Sequence, residues 1–191
     1  MSQIRAVIAD DETIIRMDLK LLLEELGHVV VGEAADGQRA VELTRALKPD
    51  VVIMDIKMPI MDGLDAAKVI YEEKAAPVVL LTAYSQKDLV ERAKEAGVFG
   101  YMVKPFQESE LLPAIEIAIA RFLEMSELES TIGNLEEKIE ARKIVDRAKG
   151  ILMDKYKMNE ADAFRRIQQQ SMNQRRSMKE IAEAIIIASE I

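Results

Sequence analysis

From residue 3 to about residue 120, short β-branched runs alternate with longer amphipathic stretches, and this alternation leaves few possible architectures. Residues 4–9, 29–33, 51–54, 78–81 and 100–103 read as strands. Helical periodicity occupies 13–26, 37–47, 63–74 and 86–96, and a fifth helix starts near Glu110. Turn residues fill the gaps: Gly27, Asp36-Gly37, Lys48-Pro49-Asp50, Asp62-Gly63, Pro77 and Gly97. Strands apolar on both faces, each followed by a helix, pack as a parallel sheet covered on both sides. The prediction for residues 1–120 is therefore an α/β, doubly wound (βα)5 domain.

Beyond residue 109 the strand signals stop. Ser109 is a candidate cap for a helix that keeps Pro113 in its tolerated first turn, and no proline follows. Met125, Leu128, Ile132, Leu135 and Ile139 recur at spacings of 3, 4, 3 and 4, a heptad seam flanked by Glu129, Glu136 and Lys138. Residues 121–141 thus suit a helical coiled-coil linker that pairs two copies, or an amphipathic helix packed on its own chain. Helices near 137–155, 159–172 and 177–190 make a small three-helix all-α domain over 130–191, overlapping the linker. Asn159 caps the second, and Ser177-Met178-Lys179-Glu180 is a capping box for the third. Ala148, Ile151, Leu152, Phe164, Ile167, Ile181, Ile185 and Ala188 supply its apolar stripes.

The net charge of −8 is unevenly spread. Residues 1–120 hold 13 Lys+Arg against 21 Asp+Glu, whereas residues 121–191 hold 13 of each. Within the second part, residues 142–179 carry 11 basic side chains against Asp146, Asp154, Glu160 and Asp162. Such a stretch suits a polyanionic partner, or simply keeps its helices soluble. The chain has no cysteine, which excludes disulfides and cysteine-based zinc sites and fits a cytoplasmic protein. No apolar run is long enough to span a bilayer, and the acids near the start are unlike a signal peptide. The single histidine, His28, follows Gly27 and reads as a surface loop residue.

In an open parallel sheet, chemistry gathers outside the carboxyl ends of the strands. Those ends carry Asp10-Asp11, Asp55, Thr82 and Lys104-Pro105. Adjacent acids on a loop are ordinarily just solvated, but carboxylates converging from separate strands repel one another and call for a hard cation. Oxygen ligands open to water and phosphate suit Mg2+. Asp11 and Asp55 would bind it directly, the Lys57 carbonyl would be a third ligand, and Asp10 would act largely through water. So shielded, Asp55 is placed to attack an anionic phosphoryl donor, with Lys104 and the Thr82 hydroxyl on the equatorial oxygens.

The set Asp10-Asp11-Glu12, Ile53-Met54-Asp55-Ile56-Lys57-Met58-Pro59-x-x-x-Gly63, Thr82-Ala83 and Lys104-Pro105-Phe106 resembles the receiver domains of two-component response regulators over residues 3 to about 120. The resemblance implies phosphorylation of Asp55 by the phosphohistidine of a sensor histidine kinase. It also implies a Thr82–Tyr101 switch, in which the hydroxyl turns to the phosphoryl group and the ring moves inward, and a cis Lys104–Pro105 bond. Beyond the family pattern, Lys57 and Tyr84 border the expected phosphoryl position. The Tyr84 ring would obstruct an attacking water and slow self-hydrolysis.

Residues Ala148-Lys149-Gly150-Ile151-Leu152-Met153, Ala161-Asp162-Ala163-Phe164-Arg165-Arg166 and Ala182 resemble the ANTAR domain, a three-helix RNA-binding output of antiterminator response regulators. Gln168-Gln169-Gln170 departs from that family's pattern, and the whole looks closest to the ethanolamine-utilisation antiterminators. The resemblance implies a partner RNA hairpin in nascent transcript leaders; phosphorylation would act either by favouring a homodimer along the seam or by releasing the basic patch from masking by the acidic receiver. Arg142, Lys149, Arg165, Arg166, Arg175 and Arg176 are the candidate RNA contacts, to phosphates or stacked on unpaired bases. A DNA-binding transcription factor and a protein-interaction module are the alternatives. No small-molecule enzyme is expected, only self-catalysed phosphotransfer to Asp55 and slow dephosphorylation.

Overall fold

A computed structural model describes residues 3–83 and 96–189. The expected helix at 86–96 lies almost wholly outside them, and so does Tyr84. Contacts divide the chain into two units, residues 1–126 and 127–191.

The first unit holds strands β1 (Arg5–Ala9), β2 (Val29–Ala34), β3 (Val51–Asp55), β4 (Val78–Thr82) and β5 (Gly100–Val103). They form one parallel sheet in the order β2-β1-β3-β4-β5. The central strands β1, β3 and β4 are buried on both faces because successive side chains alternate between two cores, while the edge strands β2 and β5 are partly exposed. Val7, Ala9, Val52, Met54, Val78 and Leu80 meet helices α2 (Gly37–Leu47) and α3 (Gly63–Glu72) through Val41, Leu64 and Ile70. Ala6, Ile8, Val51, Ile53, Val79 and Leu81 face the other way, toward Leu19 and Leu23 of α1 (Thr13–Glu25). Leu111, Ile115 and Ala118 of the long helix α4 (Glu108–Tyr156) complete that second core. Each fully buried Leu or Ile contributes roughly 1.5–3 kcal/mol, so the two layers dominate the stability of this unit.

Asp36 and Asp62 cap α2 and α3 by accepting from the backbone N–H of Arg39 and Asp65. Gly63 has a stricter reason to be glycine. Its N–H donates to the Ile56 carbonyl at 2.8 Å, and a Cβ there would lie 2.0 Å from the backbone oxygen of Asp55. Only a residue without a side chain lets the loop after β3 fold back so tightly.

Several expectations need correction. Helix α4 is continuous over 49 residues, so the helices expected near 110 and at 137–155 are one element. It begins at Glu108, so Ser109 is not its cap. Gln107 instead accepts from the N–H groups of Glu110 and Leu111. Pro113 lies past the first turn, and the helix tolerates it because the lost bond is to the exposed Ser109 near the end. His28 is buried, with Nδ1 accepting from the Ile4 N–H at 3.4 Å. The start of β2 carries it under the sheet edge, which its sequence neighbours do not reveal.

In the second unit the last part of α4 packs with α5 (Glu160–Gln174) and α6 (Met178–Ser189). Val145, Ala148, Leu152, Ala163, Ile167, Ile181 and Ala182 form its core. Asn159 caps α5 by accepting from Asp162 N–H, and the Ser177–Glu180 box closes reciprocally at 2.8 and 3.2 Å. Phe164, expected in the apolar stripes, is 41% exposed, because Ala163 and Ile167 turn the buried face of α5 away from it.

Candidate functional site

The sheet order reverses at β1, so the ends of β1 and β3 are neighbours and a crevice opens outside them. Asp10, directly after β1, is fully buried. Its Oδ1 accepts from the Glu12 N–H at 3.0 Å and its Oδ2 from Lys104 Nζ at 2.6 Å. Asp55 is the last residue of β3. Lys104 Nζ reaches its Oδ1 at 2.9 Å, and its Oδ2 accepts from the Lys57 N–H at 2.9 Å. Thr82 ends β4, is buried, and its carbonyl accepts from the Lys104 N–H at 2.7 Å. The Lys104–Pro105 bond is cis.

Lys104 therefore bridges two carboxylates from different strands. Burial by itself would lower its pKa. The hydrogen bonds to Asp10 and Asp55 outweigh that and raise it above the ordinary 10.5.

Among the described residues no three acidic or histidine side chains gather to hold a metal, since Lys104 stands between Asp10 and Asp55 while Asp11 is exposed. The donor chemistry nevertheless fits Mg2+, which keeps several waters and needs only one or two carboxylates. Each Asp55 oxygen accepts from one protein donor, Lys104 Nζ or the Lys57 N–H, and keeps a second lone pair for a cation.

Tyr101 is 52% exposed on the edge strand β5, with its ring outside the core. The half-buried aromatic side chains of this unit are others: Phe99 stands 6.1 Å from Tyr71 and 5.5 Å from Phe122. The link from Lys104 to Asp10 is absent from the sequence-based expectations. A signal for it exists, because two strand-end acids facing one strand-end lysine leave few ways to bury the charge.

In the second unit the expected basic contacts differ from one another. Arg142 and Arg175 are exposed, and Arg175 closes α5 in a left-handed conformation. Arg165 is exposed, 3.8 Å from Asp162. Arg166 lies over the Tyr156 ring at 4.9 Å, and Arg176 stands 3.5 Å from Glu180. Lys149 is held between Asp146 and Glu160, both at 2.7 Å, and those bonds raise its pKa above the ordinary lysine value. Its charge is met within the unit, so it braces α4 against α5. In the seam, Leu128, Ile132, Leu135 and Ile139 are all more than half exposed, and Met125 is half-buried.

The response regulator receiver domain family matches residues 6–116, and the ANTAR domain family matches residues 133–186. The chain is 54% identical over 182 residues to the transcriptional regulatory protein PdtaR of Mycobacterium tuberculosis, covering 95% of this chain and 89% of that protein. Among solved structures it is similar to the signal receiver domain of the response regulator NarL from Mycobacterium tuberculosis. There the TM-score is 0.60 at 32% identity, over 63% of this chain and 98% of that one. It is also similar to a chain of the CheX-CheY-BeF3-Mg2+ complex from Borrelia burgdorferi, with a TM-score of 0.55 at 27% identity, over 59% of this chain and 86% of that one. The narrower likeness to ethanolamine-utilisation regulators has no counterpart among these relatives. The chain belongs to the two-component response regulators, with a receiver domain followed by an ANTAR domain.

Proposed function

We propose that Asp55 accepts a phosphoryl group from a sensor kinase phosphohistidine, and that this modification controls RNA-hairpin binding and transcription antitermination by the helical unit. The observation carrying the reading is the Asp55 carboxylate at the mouth of the crevice, oriented by Lys104 and the Lys57 N–H. An Asp55 oxygen attacks phosphorus, the P–N bond breaks, and its electron pair stays on the imidazole. Lys104 moves its ammonium from the carboxylates to the new phosphoryl oxygens, and the Thr82 hydroxyl turns to another. Tyr101, now exposed, follows inward. A bound Mg2+ supplies charge neutralisation between acceptor and donor. Asp11, Asp55 and the Lys57 carbonyl would hold it, with Asp10 acting through water. The CheY complex named with BeF3 and Mg2+ supports that assignment by analogy. Hydrolysis reverses the modification, and the Tyr84 ring slows it. Tyr84→Ala should therefore lose phosphate faster, and an unchanged rate would remove the shielding role.

The output is RNA. Phosphorylation pairs two copies along the seam, whose apolar side chains lie open on the single chain. Among the described residues no helix is long and apolar enough to cross a membrane, and we place this activity in the cytoplasm. The test is a mobility-shift comparison of hairpin RNA with duplex DNA, with and without phosphorylation, alongside sedimentation. Tighter binding of hairpin RNA after phosphorylation is expected. Preference for duplex DNA would overturn the RNA assignment, and an unchanged sedimentation coefficient would overturn pairing.

A further inference from the structure

A groove of about 510 Å³ opens in the helical unit between α4 and the start of α6. Arg142, Val145, Lys149, Phe164, Met178 and Lys179 line it. Its apolar lining includes the Phe164 ring, which the core of this unit leaves out. Arg142, Lys149 and Lys179 stand on its walls with one acid, Asp146, and Lys149 is shared between Asp146 and Glu160, both at 2.7 Å. Arg142 acts on Asp146 only through space, helping to lower its pKa, and among the described residues neither Arg142 nor Lys179 makes an ion pair within 4 Å.

The other groove of this unit behaves differently. There Tyr156 is covered on one face by its own Arg166, so its ring is already engaged. Phe164 has no ring or guanidinium partner among the described residues. An aromatic face open in a groove, with cations beside it, has the chemistry that single-stranded nucleic acid uses: a base stacks on the ring while flanking phosphates meet the charges. Paired bases cannot enter, because their faces are already stacked within the duplex.

We propose that this groove is the subsite for an unpaired nucleobase of the RNA, stacked on Phe164, with Arg142 and Lys179 on the adjoining phosphates. The assignment rests on the RNA-binding reading above and locates it on one face of the unit. Lys149 then acts as a positioning residue that keeps Asp146 from repelling the backbone.

The full chain, phosphorylated with a small-molecule phosphodonor, is offered a pool of synthetic RNA hairpins with randomised unpaired loops. The tightest binder is remade with 2-aminopurine at each loop position. One position should be quenched on binding. Phe164→Ala and the volume-conserving Phe164→Leu should weaken binding roughly 5- to 150-fold and abolish that quench, while Phe164→Tyr stays within about 3-fold. Arg142→Gln or Lys179→Gln should each lower the slope of log affinity against log salt by about 1. Thermal unfolding of Phe164→Leu near that of the parent separates loss of stacking from loss of fold. If Phe164→Leu binds as tightly as the parent and the quench persists, the subsite is wrong while RNA binding stands. If the parent retains no hairpin from the pool, the RNA reading and this subsite fall together.

Discussion

At the carboxyl edge of the sheet, Lys104 reaches Asp10 across 94 residues of sequence, and Asp10 is fully buried. In the helical unit, ion pairs such as Lys143–Glu140 and Arg176–Glu180 join exposed neighbours three or four apart in sequence. Breaking a buried pair strands a charge in a poorly solvated site, whereas an exposed local pair is worth little. The first arrangement poises a reactive carboxylate. The second leaves a basic surface free to exchange its partners for a polyanion. Lys149 is the exception in the helical unit, since its own side chain is mostly covered and it ties two helices together.

The largest expected effect tests the chemistry of the buried edge. Asp55→Asn should abolish phosphoryl uptake from a small-molecule donor, read by phosphate-affinity electrophoresis; modification persisting at the parental level would move the acceptor elsewhere. Lys104→Met should come next, destabilising the receiver unit by about 4 kcal/mol in urea at neutral pH, because two carboxylates lose their shared cation. The sign of its pH dependence is fixed by the raised Lys104 pKa. The ion pairs contribute fully below the ordinary lysine value and are lost as pH rises through the folded value. The parent should therefore lose stability in strong alkali more steeply than Lys104→Met. Equal slopes would show that the bridge does not form in solution.

Leu152→Ala empties part of the smaller core and should cost about 3 kcal/mol, melting the helical unit while the receiver stays folded. Ser177→Ala removes the cap of α6 and should cost about 1 kcal/mol. Its partner Glu180 has a pKa below the ordinary 4.5, chiefly through the backbone hydrogen bond from Ser177. The stabilisation is present above the ordinary carboxylate range and is lost as pH falls through the lowered value, which circular dichroism of the helical unit would follow. Leu128→Ala should have the smallest effect, under about 0.5 kcal/mol on the isolated chain, since the side chain is 58% exposed. A larger loss in the unphosphorylated monomer would mean that the seam already packs on something.

Much of the receiver is legible in the order of its residues. Strand runs apolar on both faces, closed by Asp10, Asp55, Thr82 and Lys104, leave little freedom in where the chemistry lies, because a parallel sheet presents its strand ends on one edge. The helical unit is less legible for a physical reason. Helical periodicity says which residues share a face, not which face is buried. Phe164 has the spacing and apolarity of a core residue, yet Ala163 and Ile167 hold the inner face and the ring is left in the groove. His28 departs from expectation in the opposite direction, since burial at a sheet edge is made by distant residues such as Ile4.

The sequence by itself determined the element order, the parallel sheet, the family and the identity of the acidic strand ends, because each is written in local periodicity and in residues at fixed spacing. Only the tertiary structure decided that Lys104 bridges Asp10 and Asp55, that Lys149 is tied to Asp146 and Glu160, and that Phe164 faces outward. Those outcomes depend on which charges and surfaces meet when separate elements pack, and no single stretch of chain contains that information.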